Sequence, residues 1–200
     1  KLRQAAATTV SNGLLTLAVS ADGSVDITDE RNGRVLRDCL RLEDVADIGD
    51  SYAFKPIEDT PIFSDACRKS VQVVENNDYV STITITYAMD LPRALDHSVR
   101  QRTPDTVTST VELSLTLRRG IPYVEMAYAV DNASCDHRLR LCVDTDVSPV
   151  ESYADTPFDI VRRTNDMHYP DTPARIEPNT SFAALQQDGR GVAVLTVGAH

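Results

Sequence analysis

An acidic segment, residues 43–56 with the sequence EDVADIGDSYAFKP, holds the side chains best suited to bind a polar ligand. Asp44, Asp47 and Asp50 recur along it, and Tyr52 follows a Gly-Asp-Ser turn. Carboxylates accept hydrogen bonds from sugar hydroxyl groups, and a tyrosine offers both a hydroxyl and an aromatic face. The same residues also suit a solvated acidic loop in which Tyr52 plugs one end of a sandwich. The local sequence alone favours this second interpretation.

A second pair of acids, Asp144 and Asp146, follows a strand-like run. Both carboxylates would point to one side there, as a pair of ligands for calcium or a sugar would. A solvated strand end fits these two residues better, because the spacing of a calcium-binding loop is missing.

Several common catalytic patterns are missing from the sequence. It has no His-x-His, His-x-Asp or His-Glu-x-x-His motif, no Gly-x-Ser-x-Gly elbow and no glycine-rich phosphate loop. His137, next to Asp136 in a predicted turn, is the candidate acid or base for an enzyme of the aldose-epimerase type.

Alternation of apolar and polar residues with a period of two dominates the chain and predicts β-strands. The clearest apolar positions are Leu15, Leu17 and Val19; Val25 and Ile27; Ile83, Ile85 and Tyr87; Val111, Leu113, Leu115 and Leu117; Val124, Met126, Tyr128 and Val130; Leu139, Leu141 and Val143; and residues 182–185 and 192–197. Turns are predicted at Asp22-Gly23, Asn32-Gly33, residues 119–122 and Asp188-Gly189. No segment of ten or more residues has helical periodicity. The sequence therefore predicts an all-β protein, most simply an antiparallel β-sandwich.

We expect residues 1–200 to form a single sandwich. The segment 157–178 carries four of the ten prolines with little alternation, and is predicted to be a long surface connection. Residue 1 is Lys rather than Met, and the chain stops directly after a strand-like run. We therefore expect a fragment of a larger protein.

The net charge of the chain restricts the kinds of partner that it could bind. A formal net charge of -10 disfavours binding to nucleic acid or to an anionic membrane surface.

The cysteines are Cys39, Cys67, Cys135 and Cys142, and none has the spacing of a zinc site. Four reduced, structural thiols are the favoured interpretation, and two disulfides are the alternative in an exported protein.

Five stretches in order carry a resemblance that extends from about residue 10 to residue 198. They are SNGLLTLAVSADGSVDITDERNGRV, LRLEDVADIGDSYAFKP, LRRGIPYVEMAYAVDNASCDHRLRL, SYADTPFDIVRR and DGRGVAVLTVG. Together they resemble the C-terminal region of glycoside hydrolase family 38, the α-mannosidases, and are nearest to its bacterial branch.

The resemblance implies that the chain is part of a galactose-mutarotase-like β-supersandwich behind a catalytic domain that this chain lacks. That catalytic domain would hold the zinc ion and the nucleophile of a retaining α-mannosidase, so the fragment alone is expected to be inactive, with no catalytic residue, metal ligand or cofactor of its own. The Gly-Asp-x-Tyr match places a sugar-contacting role on Tyr52, with Asp50 positioning the loop or accepting a hydroxyl hydrogen bond.

The expected partners are the catalytic domain of the same protein and an α-mannoside substrate. The bacterial resemblance suggests a homo-oligomer, and together with the unpaired cysteines it suggests a cytoplasmic address. A self-sufficient carbohydrate-binding module is the alternative function. It would need an exposed row of aromatic side chains, and the chain has no Trp to supply one.

Overall fold

The computed structural model describes residues 7–49, 54–164 and 179–196. The chain divides into two compact units, residues 1–144 and residues 145–200, where the sequence predicts one sandwich. Nearly all of the regular structure in the described residues is antiparallel strand, which confirms the predicted all-β class. No helix among the described residues is long and apolar enough to cross a membrane.

The described part of the first unit contains strands β1 to β13. They are β1 (Thr8–Ser11), β2 (Leu15–Val19), β3 (Val25–Asp29), β4 (Arg34–Leu36), β5 (Leu40–Ala46), β6 (Ile62–Phe63), β7 (Arg68–Asn76), β8 (Val80–Pro92), β9 (Leu95–Asp96), β10 (Gln101–Arg102), β11 (Thr106–Arg118), β12 (Glu125–Asp131) and β13 (His137–Val143), with a 3-10 turn at Ser64–Ala66. Their sheets have the orders β1-β2-β3-β4, β12-β11-β8-β7, β13-β5-β6 and β10-β9.

Tight turns fix the hairpins where the sequence predicts them. Gly23 and Gly33 have positive φ angles of 83° and 72°, which a residue without a Cβ adopts at little cost. Asp22 Oδ1 accepts hydrogen bonds from the backbone N–H and the hydroxyl of Ser24, at 3.0 and 2.8 Å. These local bonds set the register in which β2 pairs with β3.

One apolar core joins the inward faces of these sheets. Its largest fully buried side chains come from β2 and β3 on one side and from β8 and β11 on the other. The register pairs Leu113 with Ile85 and Leu115 with Ile83, so the alternating side chains of the two long strands lie side by side. Side chains from the sheet that contains β2 and β3 and from the sheet that contains β8 and β11 thus share one core, which confirms the predicted sandwich.

The edge strand β12 departs from the simple pattern. Met126 packs against the core, but Tyr128 and Val130 on the same face are 62% and 43% exposed. The alternation predicts the correct face for both residues. It does not say whether another layer covers that face, and at this edge the described residues leave it open.

The second unit contains strands β14 (Glu151–Thr156), β15 (Asp159–Thr164), β16 (Phe182–Gln187) and β17 (Arg190–Leu195), in the order β15-β14-β16-β17. The predicted pair around Asp188-Gly189 is present as β16 and β17. Residues 159–164, which the sequence assigns to a surface connection, pair with β14 instead. Residues 165–178 lie outside the described residues.

Asp155 fastens the start of β16 to β14. Its carboxylate accepts hydrogen bonds from the Ser181 hydroxyl at 2.6 Å and from the backbone N–H groups of Thr180, Ser181 and Phe182 at 3.1, 2.8 and 2.9 Å. These bonds, the Ser181 hydroxyl first, hold the pKa of Asp155 well below its ordinary value.

We expect Asp155→Asn to destabilise the second unit, and the loss to depend on pH. Because the folded-state pKa is depressed, the carboxylate contributes stability above its ordinary pKa and loses it as the pH falls towards the depressed value. Thermal unfolding followed by circular dichroism at about pH 7 and about pH 3 checks this. The difference in unfolding temperature between the wild type and Asp155→Asn should be larger at the higher pH. Glu151→Gln, which removes an exposed ion pair with Arg162, serves as the control, and an equal loss from both variants would contradict the assignment.

Candidate functional site

The acidic loop, defined here as residues 47–56, stands on a stem closed at two levels. Asp44 of β5 pairs with Ile62 of β6, and an isolated bridge joins Asp47 to Pro56. Ile48 also donates a backbone hydrogen bond to the Lys55 carbonyl at 2.9 Å. The sequence assigns residues 43–46 to a solvated acidic loop, and the structure corrects this, because they form the end of β5.

Asp47 holds the two sides of the loop together. Its Oδ1 accepts hydrogen bonds from the backbone N–H of Gly49 at 2.8 Å and of Lys55 at 3.0 Å. Its own N–H donates to the Asp136 carbonyl at 2.8 Å. Asp47 Oδ1 is therefore a structural acceptor that shapes the loop.

Asp44 belongs to a buried ionic cluster. Along β5 every second residue points inward, so Asp44 follows Leu40 and Leu42 into the interior and is 0% exposed. One carboxylate oxygen contacts Arg102 Nη1 and the other contacts Nδ1 of His137. The Arg102 guanidinium and the contact with His137 compensate the cost of burying the carboxylate, and its complete burial leaves no surface at which a ligand could reach it.

His137 is engaged at both ring nitrogens. Nδ1 faces the Asp44 carboxylate, and Nε2 lies 3.0 Å from Asn132 Oδ1. The Ser134 N–H donates to the same Asn132 atom at 3.1 Å, which identifies it as the oxygen. Both ring nitrogens therefore face oxygen acceptors within hydrogen-bond reach. With its side chain only 6% exposed, His137 has no free nitrogen for the acid–base role that an epimerase would require.

The outer face of the same strands carries a second arrangement next to the loop. The guanidinium carbon of Arg138 lies 3.5 Å from the ring centroid of Phe54, a cation–π contact. Burial, followed by repulsion from Arg140, lowers the pKa of Arg138. Arg140 itself pairs with Glu43. Arg138 thus stacks on Phe54, and its buried Nε has no hydrogen-bond partner among the described residues.

The two residues with a predicted sugar role, Asp50 and Tyr52, lie outside the described residues. Their role stays a prediction, and the structure describes the stem on either side of them. The predicted acid pair is engaged elsewhere. Asp144 pairs with Arg41 at 3.1 Å in the first unit, and Asp146 lies 3.8 Å from Arg190 in the second.

The cysteines and possible metal ligands add no further site. All four cysteines are free thiols, as the sequence favours. Burial raises the pKa of the Cys39 thiol to about 12, so it stays protonated and unreactive at neutral pH. Within residues 7–49, 54–164 and 179–196, no group of three or more His, Cys, Asp or Glu side chains could hold a metal ion.

Sequence reasoning missed Arg102 and Asp59. Arg102 lies 58 residues from Asp44 in the chain, and neither Arg102 nor Asp59 belongs to a recognisable motif. The alternation from Leu40 through Leu42 to Asp44 is the one local signal, because it places an acid at an inward position that needs a buried partner.

Comparison with known proteins supplies the context of this domain. The family model for the glycosyl hydrolases family 38 C-terminal domain matches residues 10–200. A curated relative, the putative mannosylglycerate hydrolase of Halalkalibacterium halodurans, is 27% identical over 96% of this chain. The chain spans only 23% of the length of that relative.

Two solved structures share the fold. An α-mannosidase from Enterococcus faecalis superimposes with a TM-score of 0.87 at 23% identity, covering 94% of this chain and 23% of that one. A glycosyl hydrolase family 38 protein from the same organism gives a TM-score of 0.84 at 22% identity, covering 94% of this chain and 24% of the other. With the family match over nearly the whole sequence, the chain belongs to the glycosyl hydrolases family 38 C-terminal domain family.

Proposed function

We propose that this chain is the non-catalytic C-terminal sandwich region of a retaining α-mannosidase, and that it packs on the catalytic domain and completes the sugar pocket there. The observation that carries the proposal is the family match over residues 10–200. The relatives support the proposed reaction, since their names describe a mannosylglycerate hydrolase and an α-mannosidase. This chain covers 23% of each of them, which leaves room for a catalytic domain.

The acidic loop is the part of the chain that we propose to meet the sugar. The Tyr52 hydroxyl would hydrogen-bond to the bound mannoside, and Asp50 would accept a sugar hydroxyl or hold the loop in place. The described flanks support this role, because Asp47 ties Gly49 to Lys55 and Arg138 holds Phe54. A hydroxyl supplied by a second domain orients the substrate and closes the pocket.

Bond cleavage belongs to the catalytic domain in this proposal. A retaining glycosidase uses two carboxyl groups about 5–5.5 Å apart, one as nucleophile and one as acid and base. A zinc ion in the same domain would supply Lewis-acid contacts to sugar oxygens. The substrates would be terminal α-mannosides, and the role of this chain is to orient them.

We expect Tyr52→Phe in the full-length enzyme to lower kcat/KM for an aryl α-mannoside by about 10-fold or more. The change removes one hydroxyl and keeps the aromatic ring, so the loss reports the hydrogen bond. Tyr128→Phe is the matched control, because Tyr128 lies on β12 and is 62% exposed. Turnover equal to wild type in the Tyr52 variant would refute the proposed contact.

The proposal is tested as a whole by comparing the full-length enzyme, with and without zinc, with this 200-residue chain. Zinc-dependent turnover of the aryl α-mannoside by the full-length enzyme and none by the isolated chain is the expected result. Absence of turnover in both would argue against the mannosidase assignment.

A carbohydrate-binding module is the second candidate, and one surface favours it. Tyr79 and Tyr123, in the turns before β8 and before β12, are 71% and 55% exposed. An open depression of about 230 Å³ lies beside Tyr79 and is also lined by Asn12 and Arg119. Glycan binding by the isolated chain that is lost in Tyr79→Ala would support this function.

A further inference from the structure

We propose that Arg102 is a positioning residue that clamps the two sides of the acidic loop's stem at a fixed spacing. Its side chain reaches Asp44 before the loop and Asp59 after it, and so links the two sides across the stem. The kinetic consequence rests on the proposed function, whereas the clamp itself is a property of this chain.

The stem needs such a link because its two sides are unequal. Between the Asp44–Ile62 pair and the Asp47–Pro56 bridge, the upstream side has residues 45–46 and the downstream side has residues 57–61. The longer side cannot continue the strand ladder, so its backbone lacks ladder bonds to β5. Asp59 lies in this unpaired stretch and is the point that Arg102 holds.

The contacts of Arg102 divide into a buried arm and a partly exposed arm. In the buried arm, Nη1 pairs with the Asp44 carboxylate and Nη2 donates to the Asp44 carbonyl at 3.4 Å. In the other arm, Nε lies 2.5 Å from Asp59 Oδ2, as an ion pair without hydrogen-bond alignment. The side chain of Arg102 is 10% exposed and that of Asp59 is 32% exposed.

Arg102 reaches the stem from a separate hairpin, which gives the clamp a fixed base. The strand β10 pairs only with β9 among the described residues. That hairpin is anchored where the Leu95 N–H donates to Asp136 Oδ2 at 3.2 Å. The Asp136 carbonyl accepts the hydrogen bond from Asp47, so the same turn holds both the hairpin and the loop stem.

Asp59→Asn tests the clamp because it removes the exposed arm and leaves Asp44 paired with Arg102 and His137. We expect the Ile48 and Lys55 amides to exchange with deuterium about 3- to 10-fold faster, measured by NMR on this chain. The matched control is Asp105→Asn, which removes an exposed ion pair with Arg93 of 2.6 Å and should leave both amides unchanged. Unchanged exchange in Asp59→Asn, or equal acceleration in both variants, overturns the clamp.

Arg102→Lys is the second variant, since lysine keeps the charge and loses the planar fork that serves both arms. It should accelerate the same two amides while amides of β8 and β11 keep their protection. Protection of Ile48 and Lys55 equal to wild type would count against the clamp.

The kinetic test is a double-mutant cycle in the full-length enzyme. Asp59→Asn should raise KM for the aryl α-mannoside more than it lowers kcat, and should have little further effect in a Tyr52→Phe background. A full, additive effect in that background would mean that Arg102 does not act through the loop. If Tyr52→Phe itself changes nothing, the proposed sugar contact of the loop fails, and the amide exchange still decides the clamp.

Discussion

Replacement of Asp44 by Ala is expected to lower the free energy of unfolding by about 3–5 kcal/mol. Asp44 is 0% exposed, and its carboxylate contacts both Arg102 and His137. Without it, the buried guanidinium of Arg102 keeps Asp59 as a carboxylate partner but loses Asp44, and Nδ1 of His137 loses its contact, which together cost far more than the loss of a surface ion pair.

Urea denaturation at neutral pH measures this loss, and Asp44→Asn separates its causes. Asparagine keeps an acceptor oxygen and removes the charge, so it should fall between the wild type and Asp44→Ala. The exposed carboxylate of Asp105, which pairs with Arg93, provides the control, and Asp105→Asn should leave the midpoint nearly unchanged. A loss below about 1 kcal/mol for Asp44→Ala would mean that water or rearrangement replaces the contacts of the missing carboxylate.

The strands were predictable because the pleat imposes a period of two on any sheet with one buried face. In β8 and β11 the apolar residues at alternate positions are the buried ones in the structure, for example Ile83, Ile85, Leu113 and Leu115. The turn at Asp22-Gly23 was predictable for a local reason as well, because the positive φ of Gly23 is encoded by the residue itself.

The ionic cluster was not predictable, because it depends on contacts between distant segments. Asp44, Asp59, Arg102 and His137 come from four separate parts of the chain. No periodic pattern states which arginine will meet which carboxylate. The sequence therefore identified the acidic segment as important, but assigned Asp44 to solvent and gave no role to Arg102.

Strand β15 was not predicted, for a related reason. Residues 159–164 were predicted to belong to a surface connection because they lie in the proline-containing segment 157–178, yet they pair with β14. An edge strand needs ladder bonds on one side only, and its alternation is weak when neither face is fully covered. The burial pattern of β15 fits this, since no residue in it is buried.

Leu115→Ala is the second large expected loss, about 2–5 kcal/mol of unfolding free energy. Leu115 is 0% exposed and pairs with Ile83 on one side and Met126 on the other. Close packing on all sides limits how far its neighbours can move to fill the space left by the missing side-chain atoms.

Val130→Ala is the informative comparison, because alternation alone places Val130 and Leu115 on the same face of the same sheet. Val130 is 43% exposed at the edge strand, so its truncation should cost no more than about 0.5 kcal/mol. Urea denaturation of both variants measures the difference directly. Similar losses would show that another layer covers the inner face of β12 in solution. Unequal losses would establish that the face on which a residue lies and the covering of that face by another layer are separate properties. The alternation in the sequence specifies only the face.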